Sequence, residues 1–567
     1  MTMIKTAPIY TIENECQDCY KCVRHCHCKA IRIVDGKASV IAENCVSCGQ
    51  CVKICPSHAK KIRTELPRLK QMLNNGVKLY ASIAPSFPAY FPGSTIGQLA
   101  TALKKIGFTG VSETALGAQT VSCQTAQFLK ETDLPLAISS ACPACVDYIR
   151  KYHPEYTANI VPLYSPLMAH CRMLKEEFGE ESKVIFFGPC AAKKNEADRN
   201  PEILSLALTF AVLEELLDEH GIVPMAEEES SLITPGAEEG RFYAVEGGMN
   251  DTLRDGGSDV RYLSVSGLEN LDRMLKHCNG LAGGRKIFLE ALACPGGCIN
   301  GPVIPADSGG LEAISETDRI STLAASTRRA ESDTKIDGKF VPEPIEESEV
   351  SEKQITIALA RVGKFCREDE LNCGACGYNT CREFAAALLR NKAEEAMCHT
   401  YLRKNFERTS NALIRFIPAA VVMVDENLHI CECNRNFATM SGMTEVYDTL
   451  GNLNTIAIAT VLPEFSELFA SVIGNGGEIE KFNQKFKDKI VNISVFNVAH
   501  GKSAGAVIQD ITRNELQREH IAEKAREVIR KNVLTVQQVA RLFGEHVADT
   551  EILLNEIAGS YETRGGK

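Results

Sequence analysis

Nowhere in the 567 residues is there an unbroken apolar run of the roughly 18 residues needed to cross a bilayer. A membrane partner is therefore not expected. The opening MTMIKTAPIY lacks an apolar secretory core, so the expectation is a cytoplasmic protein. Long basic runs are missing too, and the formal net charge is −11, which argues against nucleic acid. There is no G-x-G-x-x-G and no P-loop, hence no sign of a nucleotide cofactor. Tryptophan is absent altogether, which excludes nothing. What remains is ordinary globular material: 44% of residues are apolar, enough for roughly four domains of about 150 residues each.

Cysteine, by contrast, is abundant. There are 24, most of them in tight groups, and a reducing compartment favours metal ligation over disulfides. CQDCYKCVRHC supplies Cys16, Cys19, Cys22 and Cys26; CVSCGQCVKICP supplies Cys45, Cys48, Cys51 and Cys55. Each is C-x2-C-x2-C-x3-C, the run of bacterial two-cluster ferredoxins, in which the fourth cysteine ligates the other cluster. Cys16, Cys19, Cys22 and Cys55 are expected to hold one [4Fe–4S] cluster, and Cys45, Cys48, Cys51 and Cys26 the second. Zinc, which also uses paired CxxC motifs, is the competing reading. The first run ends in His27 where proline is usual, and Cys28 reads as a spare buried thiol.

From Lys78 to Val341 strand-like apolar runs (KLYASIAP, LPLAIS, KVIFFGPC, KIFLEALACP) alternate with amphipathic helices such as TIGQLATALKKIGF. The pattern is that of an α/β domain with cysteines at strand ends. Three segments, SSACPAC, GPCAAKKNEADR and EALACPGGCINGP, together resemble the signature segments of [FeFe]-hydrogenases. The resemblance implies an H-cluster, a [4Fe–4S] cube joined to a diiron subsite with CO, cyanide and dithiolate ligands. It implies Cys142, Cys190, Cys294 and the bridging Cys298 as ligands. Ala84, Pro85 and Ser86 match the segment that contacts one cyanide, and Lys193 the lysine that holds the other, with Glu196 as its acidic partner.

In the family's prototypes a proton-passing cysteine precedes the first ligand; here it is Ala141. Gln124, Thr125 and Val161 stand where acidic or hydroxyl relay residues are expected, and Gly188 and Leu292 where the prototypes have methionine. The site resembles the sensory-type [FeFe]-hydrogenases, which implies slow turnover. Replacement relay candidates are Cys123, Glu113 and Glu246. Cys145, Cys171 and Cys278 read as packed thiols.

Residues 325–354 read as a polar linker or extended surface loop. Then Cys373, Cys376, Cys381 and Cys398 follow C-x2-C-x4-C-x16-C, which resembles a small single-[4Fe–4S] domain and makes a third accessory cluster; zinc is again the alternative. Cys366 reads as spare. From Phe406 the strand–turn–strand AAVVMVDENLHICECN and a later hairpin ending in Asp510-Ile511-Thr512 resemble a PAS domain, with Cys431 and Cys433 expected on one face of a strand. Ile521, Ala525, Val528, Val533, Val536, Ala540 and Phe543 give the tail one apolar helical face.

The expected architecture is a multidomain α/β protein. It comprises a ferredoxin-like domain (1–70), a hydrogenase α/β domain (75–345), a small Fe–S domain (350–402), an α+β PAS domain (406–513) and a helical extension (514–567). The function the resemblance implies is slow, reversible H2 oxidation and proton reduction in an anaerobe, serving H2 or redox sensing. Implied partners are H2 and protons, a redox protein such as ferredoxin, hydrogenase maturation proteins and a downstream signalling protein, with a homodimer through the PAS domain and tail. A metabolic hydrogenase with a new proton path and an inactive iron–sulfur scaffold are the alternatives.

Overall fold

The computed structural model of the protein describes residues 7–253, 259–277, 285–305, 334–499, 501–512 and 524–532. The chain divides into two compact units, residues 1–397 and 398–567.

The first unit begins with four short strands, β1 (Ile9–Thr11), β2 (Ile31–Val34), β3 (Lys37–Val40) and β4 (Lys60–Ile62). β1 pairs antiparallel with β4, and β2 with β3. Each cysteine run leads into a one-turn helix, Lys21–His25 or Gln50–Lys53. Asp18, Tyr20, Ser47 and Gly49 sit at positive φ within the runs. That backbone curls the chain tightly and turns successive cysteines toward one centre.

Two parallel sheets follow, formed by β5 (Leu79–Ile83), β6 (Gly110–Glu113), β7 (Leu136–Ile138), β8 (Lys183–Gly188), β9 (Leu206–Thr209), β10 (Val260–Ser266) and β11 (Lys286–Leu292). One sheet has the order β6-β5-β8-β9 and the other β10-β11-β7. β5, β6 and β7 are buried throughout, as expected where helices cover both faces of a parallel sheet. Helix Ile96–Ile106 opens with a capping box between Thr95 and Gln98, which satisfies its first free N–H groups. The consequence for function lies at the strand ends. Ala84–Ser86 follows β5, Cys142 follows β7, Cys190 follows β8 and Cys294 follows β11, so all four segments leave the carboxyl ends of parallel strands, where open sheets place their sites.

The described part of the expected linker is not a free tether. Ile336 is fully buried, and residues 334–347 lie along the catalytic domain as a strap. Gly338 N–H donates to Pro162 O (2.9 Å), Tyr164 N–H to Ile336 O (2.7 Å) and Glu343 N–H to Arg150 O (2.9 Å). Its apolar and backbone groups are satisfied against the domain, which the polar composition concealed. Helices Glu352–Arg361 and Cys381–Leu389 then pack through Ala358, Leu359, Cys381 and Ala385.

The second unit opens with helix His399–Phe416. Its strands are β12 (Ala420–Asp425), β13 (Ile430–Cys433), β14 (Glu478–Phe486), β15 (Lys489–Ala499) and β16 (Ser503–Asp510), an antiparallel sheet of order β13-β12-β16-β15-β14. Phe437 and Phe469 from two of its helices meet Val422, Ile493 and Ala506 in its core. Cys431 and Cys433 do not share a face, contrary to strict alternation. A register shift between Met423 and Val424 leaves Cys431 without an opposite residue; it is exposed while Cys433 is buried, because a bulge reverses side-chain direction. Of the tail, Ala525 and Val528 lie in the helical segment 524–532. Ile521, Val533, Val536, Ala540 and Phe543, like Cys278, lie outside the described residues.

Candidate functional site

The structure brings Cys55 back to Cys16, Cys19 and Cys22, around a space of about 360 Å3 that Lys60 also lines. Cys26 likewise joins Cys45, Cys48 and Cys51 rather than its own run. Burial pushes Cys22 up to about 11 and Cys48 up to about 12. Clustered, desolvated thiols of this kind are costly to ionise alone; iron in place of their protons removes that cost, so the donor sets suit clusters. Cys28 is buried and its carbonyl accepts a hydrogen bond from Tyr152 (2.9 Å), a packing role. His27 bonds to the Tyr148 hydroxyl (3.0 Å).

Cys142, Cys190, Cys294 and Cys298 converge on a second space of about 360 Å3, lined also by Pro189, Leu292 and, from the ferredoxin-like domain, Cys48. The inner cysteine set therefore abuts the cage. The approach is close because Gly49 has no side chain: a Cβ there would stand 2.3 Å from that of Pro302. Cys142 caps helix Pro143–Tyr152. The Cys145 thiol donates to its sulfur and, against the effect of burial and with backbone N–H groups of Cys145 and Ala293, brings Cys142 down to about 6. Cys145 is thus a hydrogen-bond donor to the cage as well as a packed thiol.

Lys193 is buried, donates to Ser165 Oγ (2.9 Å) and pairs with Glu196 (2.8 Å). Burial works against its ammonium, but Glu196 and the thiols of Cys190 and Cys142 hold it above its ordinary value; it is a fixed cation at the cage. Ser86 is fully buried and, among the described residues, its hydroxyl has no partner. Ala84 is buried beside it and Pro85 half-buried. An orphaned hydroxyl and a buried cation suit a cofactor with anionic, hydrogen-bond-accepting ligands, since neither group would otherwise be left in apolar surroundings. The glycine in place of methionine has a local cause. A Cβ on Gly188 would stand 2.3 Å from the Phe186 ring and 3.0 Å from Ala84 Cβ, so Phe186 occupies the space.

The relay candidates separate. Ala141 packs against a largely apolar cluster that includes Ala118, Val121, Val161 and Phe288; the hydroxyls in it are those of Tyr243, Tyr164 and Tyr262, and Tyr243 is bonded to Ser122 Oγ (2.8 Å). Gln124 is spent on the strap, donating to Thr334 O (2.8 Å), and Thr125 is buried. Glu113 is buried and locked: Arg241 grips both its oxygens at 2.7 and 2.8 Å, and Ala237 N–H adds a third bond. Such a carboxylate is a structural anchor, not a shuttle. Cys123 is exposed on helix Ala115–Glu131. Glu246 lies nearest the chemistry. It accepts from Ser266 Oγ (2.5 Å), which accepts in turn from Gly296 N–H (3.1 Å), between Cys294 and Cys298.

Sequence reasoning missed Glu290, a buried acid on β11. Burial, against N–H groups of Met249 and Asn250 and with the charges of Glu246 and Asp251, pushes it up to about 7. It acts on Cys298 and on Tyr243. The signal was available in KIFLEAL, a single carboxylate inside an otherwise apolar buried strand.

With this geometry in view, the comparisons are specific. The family model "Iron only hydrogenase large subunit, C-terminal domain" matches residues 77–255 and 249–302. A 4Fe-4S binding domain matches 38–61, and an Fe-S cluster family 369–399. The periplasmic [Fe] hydrogenase large subunit of Nitratidesulfovibrio vulgaris is 28% identical, over 44% of this chain and 75% of that one. The NADP-reducing hydrogenase subunit HndD of Solidesulfovibrio fructosivorans is 26% identical, over 49% of this chain and 58% of that one; the chain spans little more than half of its length. A solved variant of the [FeFe]-hydrogenase HydA1 from Chlamydomonas reinhardtii is 17% identical with a TM-score of 0.40, covering 49% of this chain and 99% of that one. The catalytic region is a hydrogenase-type enzyme domain. More closely, it is an H-cluster domain of the [FeFe]-hydrogenase kind, preceded by a ferredoxin-type iron–sulfur domain.

Proposed function

We propose that this chain catalyses slow, reversible H2 oxidation and proton reduction, and that the second unit, read as a PAS domain, reports the result. The diiron group, when bound at Cys298, supplies the H2 chemistry. The chain's own residues do the rest. Lys193 and Ser86 orient it, with Ala84 and Pro85 shaping the wall and Glu196 fixing the lysine. Glu246 and Glu290 take and return protons on the β10–β11 side.

The observation that carries the reading is Ala141 in its apolar surroundings beside an intact four-cysteine cage. Losing positioned acid–base transfer lowers turnover by about 10²–10⁴-fold, which suits a reporter better than a metabolic catalyst. The three accessory cysteine sets would pass electrons to a one-electron protein such as ferredoxin. Maturation proteins, a signalling recipient, a homodimer through the second unit and a cytoplasmic location belong to the same reading. One observation favours the metabolic alternative: Glu290, with its proton affinity near neutrality, is suited to fast transfer.

The test is the infrared spectrum of matured protein together with H2 uptake and evolution. CO and cyanide bands with slow turnover support the proposal. Bands with rapid turnover move the metabolic reading ahead, and absent bands would leave a scaffold.

A further inference from the structure

We propose that the third cysteine set, through the loop that carries Cys373, Cys376 and Cys381, is a side branch off the inner ferredoxin set, joined to it through Lys29 and the Gly377–Tyr378 turn, and does not follow the outer set in series. The proposal rests on the hydrogenase reading only for the source of its electrons.

The loop that carries Cys373 and Cys376 is shaped for a cluster. Asn372, Gly374 and Gly377 all have positive φ, and Cys381 N–H is tied to Asn372 Oδ1 at 2.8 Å, so the backbone curls around one centre as in the ferredoxin runs. This loop lies on the ferredoxin-like domain with almost no intervening side chain. A Cβ on Gly377 would stand 2.9 Å from Val23 Cγ1 and 3.1 Å from Arg24 N, which explains the glycine. Glu394 accepts from the N–H groups of Asp35 (2.6 Å) and Gly36 (3.3 Å), and Lys392 O from Ile33 N–H (3.1 Å). The docking is therefore tight and uses the segment between Cys22 and Cys45.

Lys29 occupies the seam. Its ammonium donates to Gly377 O at 2.6 Å and Val23 O at 3.3 Å, and lies 5.7 Å from the centre of the Tyr378 ring. The two thiols whose charge reaches both Lys29 and Tyr378 are Cys26, of the inner set, and Cys376, of the third. Arg24 does bridge Ala375 O and Cys19 O, but it is exposed, where solvent screens its charge. A half-buried cation between two sites lowers the cost of adding an electron to either, because the interaction is little screened there. Since Cys48 lines the cage, the inner set is the junction. Each H2 split yields two protons, which leave to solvent, and two electrons. One comes to rest on the inner set's oxidised cluster and one on the third's.

The experiment uses the full matured chain carrying Cys16→Ala and Cys19→Ala, which removes the outer cluster, examined by low-temperature electron paramagnetic resonance after exposure to H2. Signals from both inner and third clusters are expected. An inner signal with no third signal until a dye mediator is added overturns the branch. If H2 reduces neither while dithionite reduces both, the hydrogenase reading fails instead. The branch is then decided by mediated redox titration of Lys29→Met in the otherwise unchanged chain, which also serves if the double variant does not fold. Midpoints of the inner and third clusters should both fall while the outer one stays; a third-cluster midpoint that does not move overturns the proposal.

Discussion

The two sides of the four-cysteine cage are chemically opposite. On the Ala141 side, Ala118, Val121, Val161 and Phe288 form a mostly apolar wall whose hydroxyls are those of tyrosines, and Glu113, one of the relay candidates read from the sequence, is held by Arg241. On the side where β10 and β11 end, Glu246 is bonded to the Ser266 hydroxyl and the buried Glu290 has its pKa raised to about 7. The same fold thus places mostly apolar groups on one side of the cage and acidic groups on another. A cage can keep its ligands while its access is rebuilt, because ligands come from strand ends and access from the side chains packed behind them.

The largest test removes the centre of the comparison. Cys298→Ala should abolish H2 activity and the CO and cyanide infrared bands, while resonance signals of the accessory clusters persist. Glu290→Gln is expected to lower turnover by about 10²-fold and to remove a titration near pH 7 from the H2-oxidation profile. The sign follows from its role: the ionised form accepts the proton, so wild-type oxidation should rise as pH passes about 7, and the variant should lack that limb. If the variant keeps wild-type turnover, the acidic side is not the route. Ala141→Cys should raise turnover less than about tenfold, well below the full worth of a relay, because Val161 and Ala118 still block the way beyond it; a large gain would show that the apolar wall is permeable. Cys145→Ala, which deletes the donor to Cys142, should lower the midpoint of the cage cluster by roughly tens of millivolts, the scale of one hydrogen bond to a charged sulfur, read by redox titration.

The grouping of the cysteines was legible because the motifs fix both residue type and spacing. Cys55 meeting the first run's cysteines and Lys193 meeting Glu196 needed nothing beyond motif and resemblance. The buried strands were equally legible, since KVIFFG and LYASI are apolar throughout. The proton side was not. Glu113 looked as available as Glu246 in one dimension, and only the folded chain brings Arg241 to it across 128 positions. Glu290 is acidic on paper and gains its proton affinity mainly from burial, helped by the charges of Glu246 and Asp251. The strap looked polar because one buried apolar residue, Ile336, and a series of backbone bonds do its work, and neither leaves a periodic signature. Cys431 and Cys433 failed for a smaller reason: period-two logic assumes no bulge.

That strap also fixes a length. Pinned at Leu163 by Asp337, at Arg150 by Glu343 and at Arg390 and Lys392 by Glu347, it ties the third cysteine domain to the catalytic core by a second attachment besides the seam at Lys29. Two attachments leave no tether to search through solution. Electron passage across the seam should therefore be indifferent to solvent viscosity, a property that a swinging carrier domain does not have.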